Sequence, residues 1–435
     1  MRFSDLEGRR IGVWGLGRET RSFLTHLERR LPTARVVATV DDAPGVTAED
    51  RIRELSGCEV VVRSPGVSIH RPEFDALRRA GIPHVTPTAL WMAQRGGRRV
   101  FGVTGTKGKS TTATILTRLL QAGGRNVHLA GNIGLPALDL LDAPDHEWAV
   151  VELSSYQIAD LERGPEVALL TNLSREHIDW HGSEGVYRAE KLRLLALPGV
   201  RVRVVPADAA DALGTARRAG STRCFGWRGG WEADPDGLFH GGARVCGLGD
   251  LPLPGVHNAR NVCAALTAVA AAGLPVPDPV SALAGLAALP HRLQRVHVDA
   301  LGVEWVDDSI STTPQSALAA LAAHPDRPVV LIGGGMDRQQ EHAALGAELA
   351  RRHAVVAGLP TTGSRLVAAA RAAGLDADRA VEVPDMAAAV AHARRFAGAG
   401  WLVLLSPAAP SYNTYRSFEE RGDHFAALAR GEGTA

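Results

Sequence analysis

The segment GTKGKST, at residues 105–111, has the residue types that bind phosphate. It follows the β-branched run VFGVT and opens the amphipathic stretch TTATILTRLL. In that context the backbone N–H groups of a glycine turn and a helix N-terminus hold phosphate oxygens, with Lys109 on the β- and γ-phosphates and Ser110 on Mg²⁺. The loop is a shortened variant, because Val103 stands where a further glycine is usual. The predicted nucleotide-binding residues are Gly105, Thr106, Lys107, Gly108, Lys109, Ser110 and Thr111.

The nucleotide is predicted to be ATP. Recognition of guanine by GTPases uses an NKxD motif, and none of the three lysines, Lys107, Lys109 and Lys191, lies in one. Glu152 ends the hydrophobic strand WAVVE, a position from which a carboxylate can hold Mg²⁺ through oxygen. The alternative for Glu152 is a strand-end carboxylate in solvent.

The rarity of lysine draws attention to Lys191. Only three of the 48 Lys and Arg residues are lysine, so arginine occupies almost every position where a cation is simply wanted. Lys191 closes the helical stretch GVYRAEK, downstream of NLSREHIDWHG, which contains His177. A lysine amine can react with CO₂ to form a carbamate, which would act as an extra metal-facing carboxylate, whereas a guanidinium cannot. Purely structural histidines and a chance lysine remain the alternatives.

A second glycine turn, Gly15-Leu16-Gly17, follows the apolar run RIGVW. It supplies the first two glycines of a dinucleotide fingerprint, with Thr20 where the third belongs. The pattern favours a diphosphate at a helix start and does not identify NAD. A simple tight turn is the alternative.

Strand and helix patterns alternate along the chain, which predicts an α/β fold with parallel sheets and no region made of strands alone. The polar GGRR stretch and the segment LPHRLQ mark the predicted boundaries. We expect a Rossmann-like N-terminal domain at residues 1–97, a central P-loop ATPase-like domain at 98–295 and a Rossmann-like C-terminal domain at 296–435.

Composition excludes several protein classes. The 435 residues suffice for about three domains, and 45% hydrophobic with 22% charged residues is typical of a globular chain. A formal net charge of +1 argues against a nucleic-acid partner. No signal-peptide core and no membrane-spanning run are visible, so a cytoplasmic protein without a membrane partner is expected. Cys58, Cys224, Cys246 and Cys263 lack CxxC spacing and are expected to be small buried hydrophobic side chains.

Together these segments resemble the Mur ligase family, the ATP-dependent enzymes of peptidoglycan synthesis that add amino acids to UDP-N-acetylmuramate. The resemblance runs through all three predicted domains and implies that 1–97 binds UDP, 98–295 binds ATP and 296–435 binds the amino acid. The matching segments are TGTKGKSTT, GNIG (131–134), ELSSYQ, NLSREHIDWH, the Lys191 helix, PGVHNARN (254–261), LPHRLQ and DDS (307–309). SPGVS (64–68) and SPAAPSYNTYRSFEERGDHF near the C-terminus are similar to the glutamate-adding members.

The resemblance implies roles for individual residues. The implied catalytic residues are Lys109, Lys191, His177 and Glu152, and the implied metal site comprises Ser110, Glu152, His177 and a carbamylated Lys191. Asn258 and Asn261 would approach the adenine, while Arg292 and Asp308 would reach ATP from the domain junction. The implied substrate residues are Gly15, Leu16, Gly17 and Asp41 for the UDP end, Asn132 for the muramoyl part, and Ser411 and Phe418 for glutamate.

Recognition of the amino acid departs from the common family pattern. Enzymes that use D-glutamate carry a lysine after the Asp-Ser of the third domain and another after the following glycine-rich strand end, where this chain has Ile310 and Arg338. The run DDSISTTP resembles the L-glutamate branch. We therefore expect L-glutamate to be held by Arg338, Thr312 and Ser411 and joined to UDP-N-acetylmuramoyl-L-alanine through an acyl phosphate.

The expected enzyme is a monomer whose product a separate epimerase converts at its terminal L-glutamate. The same ligation with D-glutamate is the first alternative, and a folate-type polyglutamate ligase is a more remote one. An NAD dehydrogenase is disfavoured by the missing third glycine and by the P-loop. A non-catalytic nucleotide sensor would have no reason to keep both His177 and Lys191.

Overall fold

The computed structural model describes residues 1–41, 46–173, 184–210, 221–287, 289–338 and 340–432. It divides into two compact units, Met1–Leu286 and Ala287–Ala435. Parallel sheets flanked by helices dominate both units, which confirms the predicted α/β class. The first unit contains two such sheets in sequence order, and the three-domain division stays a prediction.

The first sheet is fully parallel, with strand order β2-β1-β3-β4. Its strands are β1 (Arg10–Trp14), β2 (Arg35–Val40), β3 (Val60–Arg63) and β4 (His84–Val85). Its helices are α1 (Arg18–Arg30), α2 (Ala48–Leu55), α3 (Pro72–Arg79) and α4 (Pro87–Arg95). Helix α4 shows how local sequence sets an element, because Thr86 caps the N–H of Ala89 and Gly96 ends the helix in the left-handed region.

The second sheet places the phosphate-loop strand β5 at its centre, in the parallel order β10-β9-β8-β5-β7-β6. The strands are β5 (Val100–Thr104), β6 (Val127–Gly131), β7 (Trp148–Glu152), β8 (Val167–Leu170), β9 (Val202–Pro206) and β10 (Ser221–Phe225). The helices of this region are α5 (Lys109–Ala122), α6 (Ser155–Ile158), α7 (Glu184–Ala196), α8 (Val256–Ala271) and α9 (Pro279–Leu283). Strands β5, β7 and β8 are buried along their whole length, as expected for parallel strands covered on both faces.

A small antiparallel sheet corrects the expectation that no region consists of strands alone. It comprises β11 (Trp231–Asp234), β12 (Gly237–His240) and β13 (Ala243–Cys246). The strands are only four residues long, too short for a clear alternating pattern. The residues that indicate these strands are those of the connecting turns. Asp234 accepts the N–H of Gly237 between β11 and β12, and Gly241 and Gly242, between β12 and β13, both have positive φ.

The second unit is a doubly wound sheet in the order β14-β15-β19-β16-β17-β18. The strands are β14 (Gln294–Val298), β15 (Glu304–Asp307), β16 (Val329–Gly333), β17 (Val355–Gly358), β18 (Ala380–Glu382) and β19 (Leu402–Leu405). The helices are α10 (Pro314–Ala322), α11 (Ala343–Arg351), α12 (Gly363–Ala372), α13 (Met386–Phe396) and α14 (Phe418–Arg430). Strand β14 is antiparallel to β15, so this sheet is mixed at one edge. Separate hydrophobic clusters cover its two faces.

Two further sequence expectations concern membranes and cysteines. Within the described ranges, none of the helices combines the length and the apolar character needed to cross a bilayer. Cys58, Cys246 and Cys263 are buried as expected, but Cys224 is only partly buried. The reason is its position in β10, the edge strand of the second sheet.

A buried ion pair joins the first sheet to the segment after β7. Arg63, at the end of β3, is 0% exposed, and its Nε lies 2.9 Å from Asp160 Oδ2. The same guanidinium donates to the carbonyl oxygens of Val67 at 2.7 Å and Tyr156 at 2.9 Å. Removing one member would leave the other charge buried without its counterion.

Arg63→Met should therefore lower the free energy of unfolding by about 3 kcal/mol. The control is Arg78→Met, which removes an exposed pair with Asp75 and should cost less than about 0.5 kcal/mol. Urea denaturation followed by circular dichroism measures both. Equal, small losses in the two variants would contradict a structural role for the buried pair.

Candidate functional site

The phosphate loop lies where β5 passes into α5, as the sequence predicts. Gly105 and Gly108 have φ values of +146° and +76°, and α5 begins at Lys109. A Cβ at Gly105 would collide with the Thr171 hydroxyl, and a Cβ at Gly108 would lie 2.5 Å from Asn261 Oδ1. Both glycines are therefore required by backbone conformation and by close neighbours.

The segment after β8 holds this loop in place. The N–H of Thr106 donates to the Asn172 carbonyl at 3.0 Å, and the N–H of Lys107 donates to Asn172 Oδ1 at 2.9 Å. The Thr171 hydroxyl donates to the Lys107 carbonyl at 2.6 Å. Lys109 Nζ donates to the Thr106 carbonyl at 2.8 Å, so its ammonium group lies beside the loop.

Glu152 lies at the end of β7, in register with Val103 of β5 and Gly131 of β6. It is 1% exposed, and Asn132 Nδ2 donates to its Oε1 at 3.1 Å. Its Oε2 is buried without a hydrogen-bond partner among the described residues. The solvent-exposed alternative for this carboxylate was wrong, because its strand lies inside the sheet.

The buried oxygen of Glu152 fits a bound cation. Mg²⁺ prefers hard oxygen ligands and is held by one or two carboxylates plus substrate phosphates rather than by an all-protein cage. Ser110, 1% exposed in the first turn of α5, adds a hydroxyl oxygen. In the part of the chain that the structure describes, no group of three or more His, Cys, Asp or Glu side chains could hold a metal ion. The donor set thus fits Mg²⁺ shared with a nucleotide.

Lys191 reaches the phosphate loop from α7. It is 1% exposed, and its Nζ donates to the Gly105 carbonyl at 2.8 Å. The same nitrogen lies 4.8 Å from the centroid of the Tyr187 ring, whose hydroxyl is 2.9 Å from the Thr106 hydroxyl. Sequence reasoning missed Tyr187, although it stands one helical turn before Lys191. His177 lies outside the described residues.

Asn258 and Asn261 belong to the first turns of α8. Asn261 packs against Gly108, and its Nδ2 donates to Asn258 Oδ1 at 3.4 Å. Asn258 Nδ2 also donates to the Pro254 carbonyl at 2.8 Å. The structure therefore places this predicted pair beside the phosphate loop, with Thr111 in the first turn of the adjoining α5.

The N-terminal glycine turn is held in place by contacts with Ser64 and Thr20. Gly15 has φ +77°, and Ser64 of the SPGVS segment lies within 3.0 Å of a Cβ placed there. Thr20 Oγ1 donates to the carbonyls of Gly15 at 2.7 Å and Gly17 at 3.0 Å, so it stabilises the turn from the third fingerprint position.

Leu16, at the tip of this turn, is 38% exposed. Asp41 follows β2, the strand beside β1, and is also exposed. Both predicted UDP-binding residues therefore lie at the carboxyl edge of the first sheet and open to solvent.

The second unit carries the other predicted residues at the carboxyl ends of its strands. Asp308 follows β15 and accepts hydrogen bonds from the hydroxyls of Ser311 at 2.5 Å and Ser406 at 2.8 Å. Burial raises the pKa of Asp308 to about 6, and the neighbouring Arg292 acts in the opposite direction. Asp307 pairs with His291 instead, at 2.7 Å.

Thr312 and Arg338 line one small cleft at this edge, together with residues 408–410. Arg338 is exposed there. Ser411 follows directly on this segment and is 2% exposed. Phe418 begins α14, and its ring lies 5.9 Å from the His291 imidazole in an edge-on arrangement.

Sequence reasoning missed Arg421, which organises this edge. It is 1% exposed and donates to the Ser309 hydroxyl at 3.0 Å, the Ser309 carbonyl at 2.8 Å and the Ala409 carbonyl at 3.1 Å. It thus joins the segments that follow β15 and β19. Burial lowers the pKa of Arg421 to about 10, which leaves it charged at neutral pH. The sequence signal that could have identified Arg421 is its position within SFEERGDHF, part of the C-terminal segment similar to the glutamate-adding members.

Comparison with known proteins identifies the family. The family model of the Mur ligase middle domain matches residues 103–269, and that of the Mur ligase glutamate ligase domain matches residues 291–409. Similar curated proteins include the UDP-N-acetylmuramoyl-L-alanine--L-glutamate ligases of Micromonospora sp. (43% identical, 99% of this chain and 98% of the relative) and Salinispora tropica (41% identical, 99% of each).

Solved structures agree on the fold. The MurF ligase of Thermotoga maritima in complex with ADP has a TM-score of 0.59 at 18% identity, covering 99% of this chain and 96% of that one. The UDP-N-acetylmuramate-alanine ligase MurC of the same organism has a TM-score of 0.60 at 17% identity, covering 98% and 100%. Because the full-length relatives and the two domain matches agree with the phosphate-loop geometry, this chain belongs to the Mur ligase family of ATP-dependent, ADP-forming amide ligases.

Proposed function

We propose that the protein joins L-glutamate to UDP-N-acetylmuramoyl-L-alanine, with hydrolysis of ATP to ADP and phosphate. The observation that carries the ligase chemistry is the phosphate loop with Lys109 and Lys191 beside it and Glu152 on the adjacent strand. The names of the full-length relatives support this choice of substrate and amino acid. We assign the proposed site residues to the two half-reactions of the ligase.

In the first half-reaction, the alanyl carboxylate attacks the γ-phosphorus of ATP and ADP leaves, which gives an acyl phosphate. Lys109 and the loop N–H groups bind the phosphate oxygens as charge moves between them. Glu152 and Ser110 would hold Mg²⁺, with His177 as a further proposed ligand, and the cation would neutralise phosphate charge. Asn258, Asn261, Arg292, Asp308 and Thr111 are the proposed further contacts of ATP.

In the second half-reaction, the glutamate amine attacks the acyl carbonyl carbon. The tetrahedral intermediate expels phosphate, and the amine loses a proton as the amide forms. The proposed glutamate contacts are Thr312, Arg338, Ser411 and Phe418, and most of their effect should come from orienting the amine. The UDP end would be bound by Gly15, Leu16, Gly17 and Asp41, and the muramoyl part by Asn132.

We also propose that Lys191 is carbamylated. Its Nζ is buried at the phosphate loop, where a carbamate would add a carboxylate-like group near the phosphates. The scarcity of lysine elsewhere in the chain supports a requirement for an amine at this position.

The remaining proposals concern location and partners. Because the reaction consumes ATP and a nucleotide-linked sugar, we place the protein in the cytoplasm. It acts as a monomer, and an epimerase acting on the terminal L-glutamate is its pathway partner.

Lys109→Ala should lower the rate of ADP release by at least roughly a hundredfold without unfolding the protein, because it removes a cation from the transferring phosphate. The control is Arg118→Ala, which removes an exposed cation from the same helix and should leave the rate within about twofold. The assay uses ATP, UDP-N-acetylmuramoyl-L-alanine and L-glutamate. Near-normal turnover of Lys109→Ala would refute the phosphate-loop assignment.

Lys191→Ala and Lys191→Arg should both be nearly inactive, because neither side chain can form a carbamate. Added short carboxylic acids should restore part of the activity of Lys191→Ala, whereas the same concentrations of chloride should not. Full activity of Lys191→Arg would exclude a carbamate, and absence of any rescue would argue for a structural amine.

The enzyme should prefer L-glutamate over D-glutamate by at least roughly tenfold in kcat/KM, which corresponds to ~1.4 kcal/mol of differential transition-state binding. Arg338→Ala should raise the KM for glutamate much more than that for ATP, because a guanidinium binds carboxylates in a fork. Ligation of D-glutamate alone would overturn the stereochemical part of the proposal and leave the ligase chemistry standing.

A further inference from the structure

One face of α1 is docked along the segment that follows β6. Ser22 Oγ donates to Asp139 Oδ1 at 2.6 Å, and His26 Nε2 lies 3.0 Å from the same oxygen. Arg29 pairs with Asp142 at 3.2 Å. With Arg18 these residues lie three or four positions apart, which places them on one face of the helix. Helix α1, which follows the Gly15–Gly17 turn, is thus attached to the second sheet through the segment after β6.

Arg18, the first residue of α1, makes the contact nearest to the glycine turn. Its two terminal nitrogens donate to the carbonyls of Gly131 at 2.6 Å and Gly134 at 3.0 Å. Gly131 has φ +98°, and a Cβ placed there would collide with the Glu152 carbonyl oxygen, so position 131 has no room for a side chain. The planar guanidinium therefore holds both ends of the GNIG turn with one rigid group.

Asn132 lies between the two carbonyls that Arg18 binds. Its backbone N–H donates to the Glu152 carbonyl at 3.0 Å, and its Nδ2 donates to Glu152 Oε1 at 3.1 Å. The direction of the Glu152 carboxylate, and hence of its unpartnered Oε2, depends on the position of this turn. Arg18 and Glu152 are thus linked through the GNIG turn, in which Asn132 contacts Glu152 directly.

Glu19, the next residue of α1, reaches the segment on the other side of Glu152. It is buried and accepts hydrogen bonds from Gln157 Nε2 at 2.5 Å and Thr88 Oγ1 at 2.7 Å. Gln157 Oε1 in turn accepts from the N–H of Ser154 at 2.8 Å, two residues after Glu152. Two consecutive residues at the start of α1 thus contact both segments that position Glu152.

We propose that Arg18 is a positioning residue that couples the diphosphate of the UDP-substrate to the Mg²⁺-nucleotide site. The proposal rests on the proposed function in one respect, that Gly15–Gly17 binds the UDP end. Diphosphate bound at the N-terminus of α1 favours one position of that helix, and Arg18 passes this preference to the GNIG turn and to Glu152. Binding at either site then tightens binding at the other by the same factor, because coupling is reciprocal.

The test measures binding rather than turnover, on the full chain. UDP is the probe, because it contacts the glycine turn but has no carboxylate that could touch the γ-phosphate directly. Calorimetry gives the Kd of UDP with and without Mg²⁺ and a non-hydrolysable β,γ-imido analogue of ATP. In the wild type the analogue should tighten UDP binding by at least roughly fivefold.

Arg18→Met should bring this factor to within about twofold of unity. Arg18→Lys should give an intermediate factor, because its single flexible ammonium lacks the fixed spacing of the two guanidinium nitrogens. The matched control is Arg29→Met, which removes an exposed contact on the same helix face and should keep the wild-type factor. If Arg18→Met does not fold, as judged by its thermal unfolding, the lysine variant decides.

Three outcomes would overturn the inference. The first is an unchanged ratio of UDP Kd values, without and with the ATP analogue, in folded Arg18 variants. The second is a wild-type ratio near unity. The third is weaker UDP binding by the variants with the ratio kept, which would show that Arg18 contacts the diphosphate itself. If UDP does not bind the wild type at all, the assignment of the UDP site fails, and with it the proposed function.

Discussion

The arrangement of the phosphate loop depends on a close approach of neighbouring segments at the carboxyl edge of the second sheet. Gly105 and Gly131 lie beside the ends of β8 and β7, and in each case a Cβ would overlap a neighbouring oxygen. This approach brings the phosphate loop, the GNIG turn and Glu152 to one edge of the sheet. It also leaves one Glu152 oxygen buried without a hydrogen-bond partner among the described residues, a cost that a bound cation would remove.

Buried cationic side chains that donate to backbone carbonyls recur in both units. Lys191, Arg203 and Arg421 are each 1% exposed and donate to carbonyl oxygens of loops or helix ends. A carbonyl satisfies the N–H donors but does not neutralise the charge, and burial accordingly lowers the pKa of Arg203 and Arg421. Such groups fix the spacing of segments far apart in sequence, at an energetic cost that the hydrophobic clusters must offset.

The structural relatives show how much function this fold leaves open. A bifunctional folylpolyglutamate synthase/dihydrofolate synthase of Yersinia pestis has a TM-score of 0.60 over 78% of this chain, as high as that of MurC. A shared fold therefore does not select the substrate. We propose that the choice lies in side chains at strand ends. Examples are Ser64, which lies against the Gly15–Gly17 turn, and Thr312 and Arg338, which line one cleft.

The sequence by itself determined the phosphate loop, the alternation of strands and helices along most of the chain and, through the resemblance of its motifs, the family. The first two follow from short-range signals: closely spaced glycines, a lysine and a hydroxyl at a helix start, and hydrophobic runs of strand length. It also indicated that Glu152 lies at a strand end beside the loop, because parallel strands bring their carboxyl ends to one edge.

Only the tertiary structure decided which distant groups meet. Lys191 and Gly105 are 86 positions apart, Arg18 and Gly131 are 113 apart, and Arg421 and Ser309 are 112 apart. No local periodicity encodes such pairs, because they depend on the strand order and on the packing of helices against the sheets. For the same reason the antiparallel strands β11–β13, the unpartnered oxygen of Glu152 and the organising role of Arg421 could not be derived from residue spacing alone.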